Sequence, residues 1–446
     1  MAHRQRTPNT ELAALMQQAK WGNDQLARAV NRTGSEARLR LNYDKSAISH
    51  WLSGTRPRAD VQEVVRETFS RRLGRPVTPE ETGFRPDAGP ADSRGVLSDL
   101  MSIGKADMDP SRRGVLASGL YSLALTLPVF DDTAERITHA AAGRTVRVGK
   151  AEAETVRTMT DRIAGILDEL GAAHARPMAA AFLVNSVGPW LQASGPTEVK
   201  AELLSAAADL TYLTGWMAMY ETAHGLGQRY YIQALKLARE AQDHVTYCRT
   251  LRGMALQASN LGHGPKTLEL ADSAAEAAPA SGPRLRAFLT GQQAHGAAMV
   301  KDQRQAFARL AETETALARA EGRNDAVGGY DQAAYHFHVS HVLYELGDLP
   351  GAIKELQLSN RTRPANEKQG RVHGTGLLAR RQMELGHIEA ACTTWDAFLD
   401  DYVTISSVRG DEHFRALNNA LPAHLSTRAV RQLLQRTREV ARQKAA

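Results

Sequence analysis

Apolar residues in the first eighty or so positions recur every three or four residues in short blocks split by polar turns, the spacing of amphipathic helices. Leu12, Leu15 and Met16, with Ala19 at the edge, predict a helix over 11–20, capped by Asn9 or Thr10 and closed by Gly22. Leu26, Ala27 and Val30 predict a second over 25–31, with Asn23 or Asp24 as its cap. The stretch 44–54 reads as a short helix: Asp44 offers a cap, Gly54 a left-handed stop, and Ala47, Ile48, Trp51 and Leu52 one apolar stripe. That stripe leaves Lys45, Ser46, Ser49 and His50 on the other side. Val61, Val64, Val65, Phe69 and Leu73 predict a fourth helix over 60–73, and 78–81 opens a last turn ending near Phe84. Residues 32–43 are expected to form a basic loop, or a short extension of the second helix, carrying Arg38 and Arg40.

The pattern then changes. Residues 87–110 are rich in Gly, Pro, Ser and Asp, with one apolar patch at 96–101, and read as a flexible tether. Helices are expected over 113–127, 150–170 and 177–192. Farther on, a helix–turn–helix unit recurs at roughly the 34-residue period of tetratricopeptide repeats. In 331–364 it places Ser340 and Ala352 at the close-packed positions, Gly347 in the turn and Pro364 at the end. Ala379, Gly386 and Ala391 repeat it, as do Ala255, Gly262 and Ala271 earlier. Small residues let the paired helices approach, and glycine permits the tight turn. Two weaker units, 209–243 and 283–323, fit with slack in the turn, and an apolar stripe over 427–444 predicts a final helix that caps the array or joins a dimer. The expected architecture is all-α: a helix-turn-helix domain (1–86), linker (87–110), connecting helices and a first pair (111–209), a TPR-like α-solenoid (210–426) and a C-terminal helix (427–446).

Composition adds little until charge is divided. With 446 residues, 43% apolar and 23% charged, the chain is ordinary for a multidomain globular protein. Residues 1–86 hold 15 Lys/Arg against 9 Asp/Glu, a formal +6 equal to that of the whole chain, so the remainder sums to zero. A basic head on a neutral body suits a protein whose head alone meets a polyanion. Cys248 and Cys392 are far apart and lack metal-ligand spacing, which predicts a reducing, cytoplasmic setting without disulfide or zinc. No signal peptide is expected. The run Ser111-Arg112-Arg113-Gly114-Val115-Leu116 with its apolar continuation to Phe130 looks like a twin-arginine signal, but it starts too late and is too short for a membrane span; it reads as a buried or interdomain helix.

In a helix-turn-helix the second element crosses the backbone while the next lies in the groove. On that reading Lys45, Ser46, Ser49 and His50 face base edges or phosphate, while Gln25, Arg38, Arg40, Arg56 and Arg58 hold the phosphate backbone. Trp51 reads as core. Gln25-Leu26-Ala27, the stretch 48–54 and Arg56-Pro57-Arg58 resemble the helix-turn-helix of the lambda-repressor or XRE class. With the long loop and the segment 71–81, the chain resembles in particular a group of actinobacterial regulators that join such a domain to tetratricopeptide repeats. That resemblance implies a repressor of sporulation or antibiotic production.

The first helix of each repeat pair is expected to line the concave face, placing Arg249, Arg252, Phe337, His341, Tyr344, His373 and Arg380 there. Such a groove suits an acidic or amphipathic peptide, a protein, or an anionic small molecule; alternatively these residues only pair with acids on neighbouring helices. The aromatics of 216–220 and Gln228-Arg229-Tyr230-Tyr231 read as core packing. No phosphate loop, nucleophile elbow or metal-binding helix is present in the sequence, and His336, His338 and His341 read as structural or groove-lining, so no enzyme activity, cofactor or metal is expected. The expected partners are double-stranded DNA, an effector and a second copy of the chain, with no membrane. The alternative is a repeat scaffold whose degenerate helix-turn-helix binds no DNA.

Overall fold

The computed structural model describes residues 7–36, 39–84, 95–108, 121–123, 127, 147–278, 282–320 and 330–445. The chain divides into two units, Met1–Val129 with Ala223–Arg229, and Phe130–Thr222 with Tyr230–Ala446. The fold is all-α, a helix-turn-helix head and a TPR-like solenoid.

In the head, Leu12, Leu15, Leu26, Val30, Ile48, Trp51, Val61, Val65 and Phe69 form one apolar core. Four helices surround it: α1 (Thr10–Ala19), α2 (Asn23–Glu36), α3 (Lys45–Leu52) and α4 (Ala59–Leu73). The Asn9 side chain caps α1, accepting from Leu12 N at 2.9 Å. Helix α2 runs on to Glu36, the short extension that is one of the two readings of residues 32–43, because Thr33 and Gly34 are buried and prolong its inner face. The connection that follows is pinned by a reciprocal clamp: Asn31 Nδ2 donates to Tyr43 O at 2.8 Å and Tyr43 N donates to Asn31 Oδ1 at 2.9 Å. Leu39, Leu41 and Tyr43 pack against the core from this segment. Arg71 of α4 bonds Glu67 and Glu36 and donates to Tyr121 O at 2.9 Å, while Glu67 accepts from Leu123 N at 3.0 Å.

The stretch read as a flexible tether contains a helix, α5 (Val96–Met108), with Leu97, Leu100 and Gly104 buried. Its apolar patch continues at helical spacing, Gly104 is accommodated on the buried side, and Pro86, Pro90 and Pro110 all fall outside it. Of the helix expected over 113–127, only Tyr121, Ser122, Leu123 and Leu127 are described and they are not helical; the rest, with the twin-arginine pair, lies outside the described residues.

The second unit opens with α6 (Lys150–Leu170) and α7 (Ala172–Phe182), which continues through a π-helical turn, Leu183–Val187, into α8 (Gly188–Gln192). After α9 (Thr197–Tyr220) and α10 (His224–Glu240), helical hairpins follow: α11 (His244–Asn260) with α12 (Gly264–Glu276), α13 (Pro283–Met299) with α14 (Gln303–Ala318), α15 (Gln332–Glu345) with α16 (Leu349–Thr362), and α17 (Lys368–Glu384) with α18 (Ile388–Tyr402). Helix α9 runs unbroken across the expected boundary at 209–210. Helices α19 (Val408–Ala420) and α20 (Arg428–Ala445) end the array. Helix α20 buries Val430, Leu433 and Val440 and packs on α18, where Arg436 bonds Asp396 at 2.9 Å and also Asp400.

The repeat signature acts as its chemistry requires. Ser340 is fully buried and its hydroxyl donates to Ala352 O at 2.6 Å, so the two small positions of one pair are joined directly. Gly262, Gly347 and Gly386 hold the turns at φ of 76°, 93° and 84°. The two weaker units make the same turn with Thr222 (φ 58°) and Lys301 (φ 64°), which explains their faint sequence signal. Finally the solenoid curls far enough that α6 packs on α17. Ser406 N donates to Leu170 O at 2.8 Å, beside Gly171, whose φ of 95° and close approach to Ser406 leave no room for a side chain. The expected concave groove is thereby closed into a ring by α6.

Candidate functional site

Two surfaces gather the residues singled out from sequence. The first is the outer side of α3. Asp44 Oδ1 accepts from Ser46 N and Ala47 N, each at 3.0 Å, and from Ser46 Oγ at 2.6 Å. The Ser46 hydroxyl and these amides hold the Asp44 carboxyl below its usual range. With Ile48 and Trp51 buried, Lys45, Ser46, Ser49 and His50 are all exposed. Gln25, Arg40, Arg56 and Arg58 are exposed as well, and Arg58 bonds Asp60 at 3.2 Å. Gln25 Oε1 accepts from Gly22 N at 2.8 Å, which fixes the start of α2. Arg38 lies outside the described residues. Asn23, read from sequence only as a candidate cap of the second helix, also donates from Nδ2 to Ser49 Oγ at 2.9 Å, tying the two helices of the motif together.

The second is a cavity of about 550 Å³ inside the solenoid ring. Of the predicted groove residues, Arg249, Arg252, Phe337, His341 and His373 line it. Tyr344 and Arg380 do not. Both lie past the walled part of their helices: Tyr344 is 37% exposed, donates to Glu384 at 3.1 Å and carries the Arg381 guanidinium 4.3 Å over its ring, while Arg380 is exposed. The closure of the ring adds lining that no local pattern announces, including Leu167 and Asp168 of α6 and Arg409 of α19.

One wall is a ladder of rings at successive turns of α9: Tyr212, Trp216 and Tyr220, with neighbouring centroids 6.2 and 5.6 Å apart. Each ring carries an arginine from another helix. Arg249 lies over Tyr212 at 4.9 Å, Arg252 over Trp216 at 5.9 Å and Arg409 over Tyr220 at 5.4 Å. Trp216 and Tyr220 are therefore cavity wall rather than simple core, whereas Tyr230 and Tyr231 are fully buried as core. The opposite chemistry is a chain of imidazoles: His295 and His341 have ring centroids 5.0 Å apart, and His373 Nδ1 is 3.0 Å from His413 Nε2. Burial, then the charges of Arg381 and Arg252, push His295 down to about 4; burial with Arg252, Arg381 and Arg409 respectively pushes His338, His341 and His373 well below the ordinary range. These histidines are neutral hydrogen-bonding groups at physiological pH. His336 stands apart, with Nδ1 2.7 Å from Glu355 Oε2. Among the described residues, no group of three or more His, Cys, Asp or Glu side chains is placed to hold a metal, and no helix is long and apolar enough to cross a membrane.

Residues 12–85 match the family described as SP15 N-terminal domain. Among solved structures, a Rap protein complexed with Competence and Sporulation Factor is similar to this chain at 14% identity and a TM-score of 0.38, over 65% of this chain and 92% of that one. No curated protein matches the chain.

Proposed function

We propose that the chain is a cytoplasmic, DNA-binding transcription regulator of the XRE type, a repressor of development or secondary metabolism, whose solenoid receives an effector. The observation that carries the reading is α3: every large apolar side chain on it is turned inward, and Lys45, Ser46, Ser49 and His50 are left outward on the basic head. Such a helix fits the major groove, where small polar side chains meet base edges and flanking arginines meet phosphates. The walled cavity supplies the second half of the reading, since a ligand that binds one geometry of the ring better than another shifts the population of that geometry. In a homodimer, that geometry sets the spacing of the two heads and so of the DNA half-sites.

The test is a gel shift of the full chain against genomic fragments at two salt concentrations. A sequence-selective, salt-sensitive shift that is lost in the Ser49→Ala, His50→Ala double variant is the expected result. No shift with any fragment defeats the regulator and leaves a repeat scaffold whose head serves another purpose.

A further inference from the structure

Arg252 carries a charge that the cavity leaves unanswered. It is 6% exposed, and its Nη2 lies 3.2 Å from His338 Nε2. Arginine only donates, so that nitrogen must accept; the imidazole is then neutral with its proton on Nδ1, which faces Tyr330 Oη at 2.9 Å. The rest of the guanidinium lies over the Phe288 ring at 4.3 Å, and Nε is buried without a hydrogen-bond partner. Its surroundings are thus imidazole, phenol and aromatic rings. Among the described residues it makes no ion pair.

Of the other cationic positions of the wall, Arg409 lies over the Tyr220 ring at 5.4 Å, also without an ion pair among the described residues but away from Trp216 and Phe288, and the remaining two are paired. Arg249 is held by Asp209 at 2.8 Å and Arg363 by Glu367 at 3.1 Å. None of the remaining lining acids forms an ion pair with Arg252 among the described residues, and Asp331 Oδ1 caps α15 by accepting from Ala334 N at 3.0 Å. A buried cation fixed by neutral groups is unfavourable in isolation and favours whatever brings the missing negative charge. The flat faces beside it define the rest of the ligand: Trp216, Phe288 and Phe337 all line the same space, and about 550 Å³ is the volume of a small-molecule site.

Resting on the reading that the solenoid is the sensing part, we propose that the cavity binds an organic anion with a flat apolar body, its carboxylate serving as the counter-ion of Arg252 and its body lying along Trp216 and Phe288. The carboxylate belongs either to a free aromatic acid or to the C-terminus of a short peptide, and the experiment separates the two. Titration calorimetry on the full chain compares 2-naphthoate with 2-naphthamide, and a tripeptide ending in phenylalanine with its C-terminal amide. The expected result is that at least one acid binds tenfold or more tightly than its amide, and that Arg252→Gln brings that acid within about twofold of the amide. The acid with the larger preference names the source. Equal binding of acids and amides, no binding of either, or an acid preference that survives Arg252→Gln overturns the proposal. Should circular dichroism show that Arg252→Gln has not folded, the comparison of acids with amides on the unaltered chain decides alone. Gel shifts measured separately report on the head, so a chain that fails to bind DNA and one that fails to bind anions are told apart.

Discussion

Replacing Gly54 with alanine probes how the end of α3 is built, and Gly74→Ala is its internal control. Both glycines have positive φ, 97° and 68°, so an alanine at either accepts left-handed strain of about 1–2 kcal/mol. Only Gly54 is also crowded: a Cβ there would stand 2.2 Å from Thr7 O, whereas at Gly74 nothing lies within 4 Å. The obstacle is backbone, and it is held in place, since Asn9 N donates to Leu52 O at 2.8 Å. Relief requires moving either the entering segment or the end of α3. Strain and displacement together make about 3 kcal/mol for Gly54→Ala against about 1–2 kcal/mol for Gly74→Ala. Amide hydrogen exchange on the full chain reads this directly, since every 1.4 kcal/mol accelerates opening-limited exchange about tenfold. Protected amides of the head helices should exchange about a hundredfold faster in Gly54→Ala and about tenfold faster in Gly74→Ala. Equal acceleration in the two variants would refute the crowding argument.

Stability should also depend on pH through the solenoid. His295 and His413 sit at about 4 and about 3 in the folded chain, against an ordinary value near 6.5, so the unfolded chain binds their protons first and stability falls as pH drops from about 6.5 toward 4. Each contributes a loss of about 2 kcal/mol at pH 5; urea midpoints at pH 7.5 and 5 check this, and the His295→Gln, His413→Gln double variant should flatten the slope. Burial pushes the Cys248 thiol up to about 12, leaving about one part in ten thousand as thiolate at pH 8, so a thiol reagent should label it only after denaturant is added. Lys20→Gly, which removes an exposed side chain from the left-handed residue (φ 55°) that ends α1, should raise the urea midpoint by an amount equivalent to about 1 kcal/mol. If the head binds DNA as proposed, Lys45→Gln should lower the slope of log affinity against log salt by about one, with little change in sequence preference.

What could be read from the residues in order depended on how far each cause lies along the chain. Asp44, Ile48, Trp51 and Gly54 fix the boundaries and the inner side of α3 within a dozen positions, and their roles are visible in the string of letters. The strong repeats are equally local, because Ser340, Gly347 and Ala352 meet within one hairpin. The segment after α2 was not legible, since its conformation depends on the clamp between Asn31 and Tyr43 and on three apolar side chains packing on a distant core. The cavity was half legible. Arg249, Arg252, Phe337, His341 and His373 followed from repeat register, but the contact of α6 with α17 spans some two hundred positions, and nothing near Asp168 or Arg409 foretells it. Trp216 and Tyr220 misled for a related reason: rings one turn apart look alike in sequence whether they meet protein or empty space.

The two serines on the outward side of α3 have already committed their protons. Ser46 Oγ gives its hydrogen to Asp44, and Ser49 Oγ gives its own to Lys45 O at 3.1 Å while receiving one from Asn23. Each oxygen is left with lone pairs alone, so a group that meets it has to arrive with a hydrogen. In the wide groove of a duplex that condition is met by the exocyclic amines of adenine and cytosine and by neither carbonyl-bearing base. If α3 lies in that groove as proposed, the two serines are thus restricted to adenine and cytosine, and any contact to guanine or thymine falls to Lys45 and His50, which can donate.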